Sequence, residues 1–113
     1  MEYMVLLSRG EWEDNAPEDE RNRTYQEIQQ WWGRLAAEGK IVGGHQLQHP
    51  DTATTVVLRG GKSTVVDGPF MEAKEVIGGY GIFDVADLDE AIALVRTFPS
   101  PSGAVEIRPV VVR

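Results

Sequence analysis

Residues 3–8 (YMVLLS) are apolar at nearly every position, which predicts a strand covered on both faces rather than an alternating surface strand. The stretch RGEWEDNAPEDE then interrupts that pattern. Asn15 and Pro17 are helix-start signals, and Glu18, Asp19 and Glu20 follow where a helix N-terminus favours negative charge. Tyr25, Ile28, Trp31, Trp32 and Leu35 recur at spacings of three and four, one apolar stripe of a long helix, and Gly39 is its expected C-terminal stop. Three short strand-like runs come next: IVGGHQLQ (41–48), ATTVVLRG (53–60) and KSTVVD (62–67). Gly60-Gly61 between the last two is a hairpin signal, and the three together read as a meander. GYGIFDV (79–85) predicts a further strand. Asp87 with Glu90 then forms a capping-box pattern ahead of the stripe Leu88, Ala91, Ile92, Val95 and Phe98, ended by Pro99 and Pro101. VEIRPVVV (105–112) is the last strand, and Pro109, which cannot donate to a ladder, argues for an edge or a bulge.

This order is a βαββαβ plan with an extra hairpin in its middle, and its natural packing is an antiparallel sheet with both helices on one face. The strands at 3–8 and 105–112 carry apolar residues of both parities. The face away from the helices therefore calls for a cover, and a homodimer packed sheet to sheet would supply it.

Length and charge narrow the classes. A chain of 113 residues fits a single domain over residues 1–113, and 42% hydrophobic with 26% charged residues is an ordinary globular mix. A formal charge of -7 disfavours nucleic acid and anionic membrane as partners. There is no cysteine, hence no disulfide framework, thiolate metal site or thiol nucleophile. The first residues, MEYMVLLSRGEWED, lack the basic lead and long apolar run of a signal peptide, and no apolar span is long enough to cross a bilayer. A soluble cytoplasmic protein is expected.

Several residues are candidates for chemistry. Asp67, in VVDGPF, is either a turn residue or a carboxylate presented to a pocket as acid, base or orienting group. Glu72, Lys74 and Glu75 just beyond it read as solvated charges or as ligand contacts. His45, set beside Gly44, could approach a ligand or another chain closely and exchange a proton near neutral pH; a packed or hydrogen-bonded histidine is the plainer alternative. His49-Pro50-Asp51 looks like a turn rather than a metal site, and no metal or cofactor is expected. Glu106 and Arg108 share a strand face, as an ion pair or with Arg108 as an anion clamp, and Arg9 at the end of the first strand could join either arrangement. Trp31 and Trp32 read as helix-packing residues. GGKST (60–64) lacks the upstream glycine of a phosphate loop, so nucleotide hydrolysis is not expected.

The run Asp67-Gly68-Pro69-Phe70, continuing through Glu72, Lys74, Glu75, Gly78, Gly79 and Tyr80, resembles the YCII-related domain family, in particular its DGPF subgroup. Thr54-Thr55-Val56, Asp89-Glu90-Ala91 and Val105 to Val110 extend the likeness over nearly the whole chain. The resemblance implies a ferredoxin-like α+β fold pairing into a dimeric α/β barrel, and enzymatic activity through a histidine and an aspartate near a cleft. Asp67 matches that aspartate. The histidine expected on the first helix is missing, since residues 18–39 contain none, which leaves His45 as the candidate substitute. The resulting expectation is a small dimer that binds a small organic molecule beside the DGPF loop. Asp67 and His45 would perform acid-base chemistry, and Arg9, Glu72, Lys74 and Arg108 would contact the substrate. The alternative is a non-catalytic ligand-binding or regulatory module, since some members of the subgroup accompany transcription regulators.

Overall fold

A computed structural model of the chain describes residues 1–69 and 76–113. Among these residues the chain is a mixed α+β fold with two antiparallel sheets and three α-helices. The elements are β1 (Glu2–Ser8), α1 (Trp12–Asn15), α2 (Glu18–Ala37), β2 (Ile41–Gln46), β3 (Thr54–Arg59), β4 (Lys62–Asp67), β5 (Ile77–Asp84), α3 (Leu88–Val95) and β6 (Val105–Pro109). A 3₁₀ turn, Pro50–Thr52, lies between β2 and β3.

The four-stranded sheet has the order β2-β5-β1-β6, every pair antiparallel. This is compatible with the expected ferredoxin-like arrangement. Alternation along β1 divides its side chains: Tyr3, Val5 and Leu7 are buried under the helices, and Met4 and Leu6 are half-buried on the other face. The same split runs through β5, where Gly79, Gly81 and Phe83 lie on the helix side and Tyr80 and Ile82 on the open side. Trp31 and Leu35 of α2 and Ala91 of α3 close the core against Tyr3, Val5, Leu7, Ile41, Phe83 and Val85. Trp31 packs against Phe83 and Phe98, with centroids 6.2 and 5.1 Å away, and its indole N–H donates to Thr97 Oγ1 at 2.7 Å. A buried tryptophan with its one donor satisfied can dominate a small core.

The ends of the elements follow local chemistry. α2 closes in a Schellman motif: Lys40 N–H reaches the Leu35 carbonyl, Gly39 N–H reaches that of Ala36, and Gly39 takes φ 75°. At α3 the Asp87 carboxylate accepts the Glu90 N–H at 2.9 Å, while the Glu90 carboxylate accepts from Ala86, one residue earlier than the simplest capping box. Gly60 and Gly61, with φ 55° and 77°, make the two-residue turn joining β3 to β4, and Pro109 ends an edge strand.

Two expectations are corrected. No meander forms: β2 pairs with β5, and β3 with β4 makes a separate two-stranded sheet. The turn at residues 49–52 diverts the chain, with Thr52 N–H donating to the His49 carbonyl and Asp51 N–H to His49 Nδ1. The second correction is α1, a single helical turn in the stretch where the hydrophobic pattern breaks. On α3, Leu88 is exposed while Ala91 is buried.

The body measures 45 × 45 × 20 Å. That depth suits one sheet and one layer of helices, each about 10 Å thick. Accordingly the face bearing Met4, Leu6, Tyr80 and Ile82 lies against no second layer among the described residues.

Candidate functional site

The C-terminal end of β1 leads directly into α1, and the junction is tight. A side chain on Gly10 would collide with the Trp12 indole, about 2.5 Å from its ring atoms, so the glycine lets that indole fold back over the backbone. Trp12 Nε1–H donates to Ser100 Oγ at 2.9 Å, and the Ser100 hydroxyl in turn donates to the Ser102 carbonyl at 2.7 Å. The ring stands 5.1 Å from that of Tyr25 on α2, tilted by 58°. Short as it is, α1 is therefore anchored to α2 on one side and to the segment after α3 on the other.

Between α1, α2 and the ends of β1, β2 and β5 lies a cavity of about 250 Å³. Its apolar wall is Leu7, Trp12, Tyr25, Ile28, Trp32 and Phe98; Glu13, Gln29, Gln46 and Ser100 supply polar groups, and Gly44, Gly78 and Gly79 form part of the floor. This volume falls just below the range of about 300–1,000 Å³ usual for ligand pockets, and the mixture of apolar wall and few polar groups is the usual one. The floor is shaped by glycine. The Trp32 indole rests where a side chain on Gly44 or Gly81 would stand, 2.6 and 3.0 Å from the positions of their missing Cβ atoms.

Glu13 is the charged residue of the lining, with its side chain 10% exposed. One carboxylate oxygen accepts the Tyr25 hydroxyl at 3.1 Å and stands 3.5 Å from the Arg9 guanidinium; the other accepts Gly10 N–H at 2.9 Å. Arg9 donates as well to Asp14, at 2.9 Å. The Asp14 bond is the main reason the Arg9 guanidinium titrates above its ordinary value, and in return Arg9 holds the Asp14 carboxyl below the usual carboxylate range. Burial, and then the charge of Glu13, push the Tyr25 phenol up, so Tyr25 stays a proton donor.

The residues singled out by sequence are distributed over three regions. Arg9 adjoins the cavity by way of Glu13. His45 borders the cavity, but its ring packs at 6.0 Å, edge to face, on Tyr80, its cross-strand partner on the open face of the sheet. Asp67 is exposed at the end of β4, opposite Thr54 in the hairpin, and among the described residues no hydrogen bond or ion pair joins it to His45. Glu106 and Arg108 pair with each other on the exposed face of β6. Glu72 and Lys74 lie outside the described residues. His49 bridges Asp14, at 3.7 Å, and Asp51, at 3.3 Å. Among the described residues no three His, Asp or Glu side chains form a group suited to a metal ion, and no helix is long and apolar enough to cross a membrane.

None of the aromatic wall was singled out from sequence as a site: Tyr25, Trp32 and Phe98 read there as helix-packing residues, and Trp12 and Glu13 fell in the stretch where the pattern breaks. Trp12 and Phe98 are 86 positions apart by their numbering and meet only through the fold. The usable signal for Trp12 and Glu13 was local: an aromatic flanked by acidic residues, two positions after Gly10 and just beyond the end of β1.

Comparison with known proteins gives the lineage. The YCII-related domain matches residues 1–112. An uncharacterized protein of Rhizobium meliloti (strain 1021) is 32% identical over 113 aligned residues, which cover 96% of this chain and 91% of the relative. With a family match from end to end and a relative of nearly the same length, the chain belongs to the YCII-related domain family.

Proposed function

We propose that the protein is a cytoplasmic homodimer of the DGPF subgroup that binds a small organic molecule in the cavity between α1, α2 and the sheet. The observation that carries this reading is the cavity itself: a recess of about 250 Å³ with aromatic walls and a few polar groups, over a floor where Gly44 and Gly81 leave room for the Trp32 indole. The dimer is supported by apolar surface. Met4, Leu6, Tyr80 and Ile82 are only half-covered on the open sheet face, and Val56, Leu58 and Val65 are exposed on one face of the hairpin.

Acid-base turnover would rest on Asp67 and His45, and each belongs to a surface that a second copy would cover. The register sets Asp67 on the same hairpin face as Val56, Leu58 and Val65, and His45 packs on Tyr80. Catalysis in this reading is a property of the dimer. Asp67 and His45 lie on different sheets with no hydrogen bond or ion pair between them among the described residues, which favours a second reading, a module that binds its ligand without changing it, in the manner of the regulatory associations within the subgroup. Thermal-shift screening of metabolites should find compounds that raise the melting temperature, because ligands that bind only the folded state stabilise it. Product analysis on those compounds then separates the readings: conversion lost in Asp67→Asn with the dimer intact supports the enzyme, and recovery of every compound unchanged supports the binding module. A library without a single stabilising compound would count against both.

A further inference from the structure

Building on the cavity reading, we propose that the cavity selects a cationic ligand, specifically a methylated ammonium group held against the rings of Trp12, Tyr25, Trp32 and Phe98. Four aromatic side chains from three parts of the chain, α1, α2 and the segment after α3, converge on one recess. An aromatic ring attracts a cation to its electron-rich face, and the attraction grows when the cation is removed from water. Glu13 lies in the same wall, nine-tenths out of water, and adds negative charge where the rings already favour a positive guest.

The hydrogen-bond pattern fits that role. A carboxylate offers about four acceptor sites. Glu13 spends them on the Tyr25 hydroxyl, Gly10 N–H and the weaker contact to Arg9, so a guest meets a partly free oxygen. By donating to a carboxylate, the Tyr25 hydroxyl enriches its own ring in electrons and sharpens the attraction. The balancing guanidiniums approach from outside: Arg9 holds Glu13 and Asp14, and Arg21 reaches the Glu13 carbonyl at 3.5 Å, yet neither lines the cavity. A methylated ammonium suits this wall better than a primary amine, because it has no N–H groups to satisfy and brings an apolar shell to an apolar surface.

The test is titration of the intact protein with choline and with its uncharged analogue, in which carbon replaces the ammonium nitrogen, followed by tryptophan fluorescence and melting temperature. Benzoate and indole serve as anionic and neutral aromatic probes. Choline should bind about tenfold more tightly than its neutral analogue, in line with a desolvated cation–π contact. Trp12→Leu, which keeps an apolar side chain and removes a ring, should weaken choline binding more than that of the neutral analogue and so reduce that preference. Glu13→Gln should reduce it further. Equal binding of choline and its analogue, or tighter binding of benzoate or indole, overturns the cationic assignment and leaves the cavity reading standing. Failure of all four probes overturns the cationic assignment and counts against the cavity as a ligand site.

Discussion

Gly44 adopts φ 137°, and a Cβ there would run into the Tyr80 carbonyl oxygen and stand 2.6 Å from Trp32 Cη2. Both the backbone angle and the space demand glycine. Gly44→Ala should therefore cost about 1–3 kcal/mol in urea unfolding and alter tryptophan fluorescence, because the Trp32 indole must move off the cavity floor. Gly39→Ala makes the comparison informative: its φ is 75° with open space around it, so only the backbone penalty of about 1 kcal/mol applies and the fluorescence should not change. Equal losses would mean that the indole does not rest on Gly44. From sequence, the glycine beside His45 could be read as permission for another chain or a ligand to come close. The group that approaches is Trp32 of the same chain, and no local pattern could name a residue twelve positions away on another element. Asp67 presents the opposite case. It was conspicuous as a motif residue, and its place at the exposed end of a hairpin depends on the path of β3 and β4, which composition does not encode.

Among the elements, α3 was the most legible, since its start is written in neighbouring residues. Asp87 caps it through the Glu90 N–H, and Asp87→Ala should lower stability by about 0.5–2 kcal/mol while Asp87→Asn keeps most of it, as thermal unfolding would register. Glu90 gives the cap a pH dependence. The Ala86 N–H, followed by Lys40, holds its carboxyl below the ordinary carboxylate range in the folded chain. A carboxyl whose folded value is depressed stabilises the fold above its unfolded value, and that contribution disappears as pH falls through the folded value. Melting temperature should thus decline on acidification below the ordinary carboxylate range, and the decline should be shallower in Glu90→Gln; identical profiles would rule out Glu90 as a contributor. Elements defined by partners elsewhere were less legible. α1 has four residues, too few for a periodic signal, and it is held by Tyr25 and Ser100, 12 and 88 residues from its anchoring side chains. Likewise β2 has strand character that does not disclose its neighbour. It pairs with β5 across an intervening hairpin, whereas proximity in sequence favoured β3.

For the whole molecule, the consequence of a body 20 Å deep is that much apolar area has no cover within the described chain. Leu58 is 77% exposed and Val65 67%, and the pairing of Val56 with Val65 puts them on one hairpin face together with Asp67. The proposed dimer would need to bury about 800 Å² per partner, more than one short hairpin provides, so the half-covered sheet face would have to contribute as well. If the proposed dimer forms this way, Leu58→Lys and Val65→Lys combined should convert it to a monomer in light scattering after gel filtration. Circular dichroism should remain unchanged, because neither side chain belongs to the core. Asp67→Lys probes the same face differently. If the partner covers Asp67, placing a long cation there should weaken association, and turnover of any converted ligand should fall along with it. If association is unaffected while turnover falls, Asp67 acts from outside the interface. A wild-type chain that remains monomeric at every concentration would remove the dimer, and with it any acid-base site that needs two copies to bring Asp67 and His45 together.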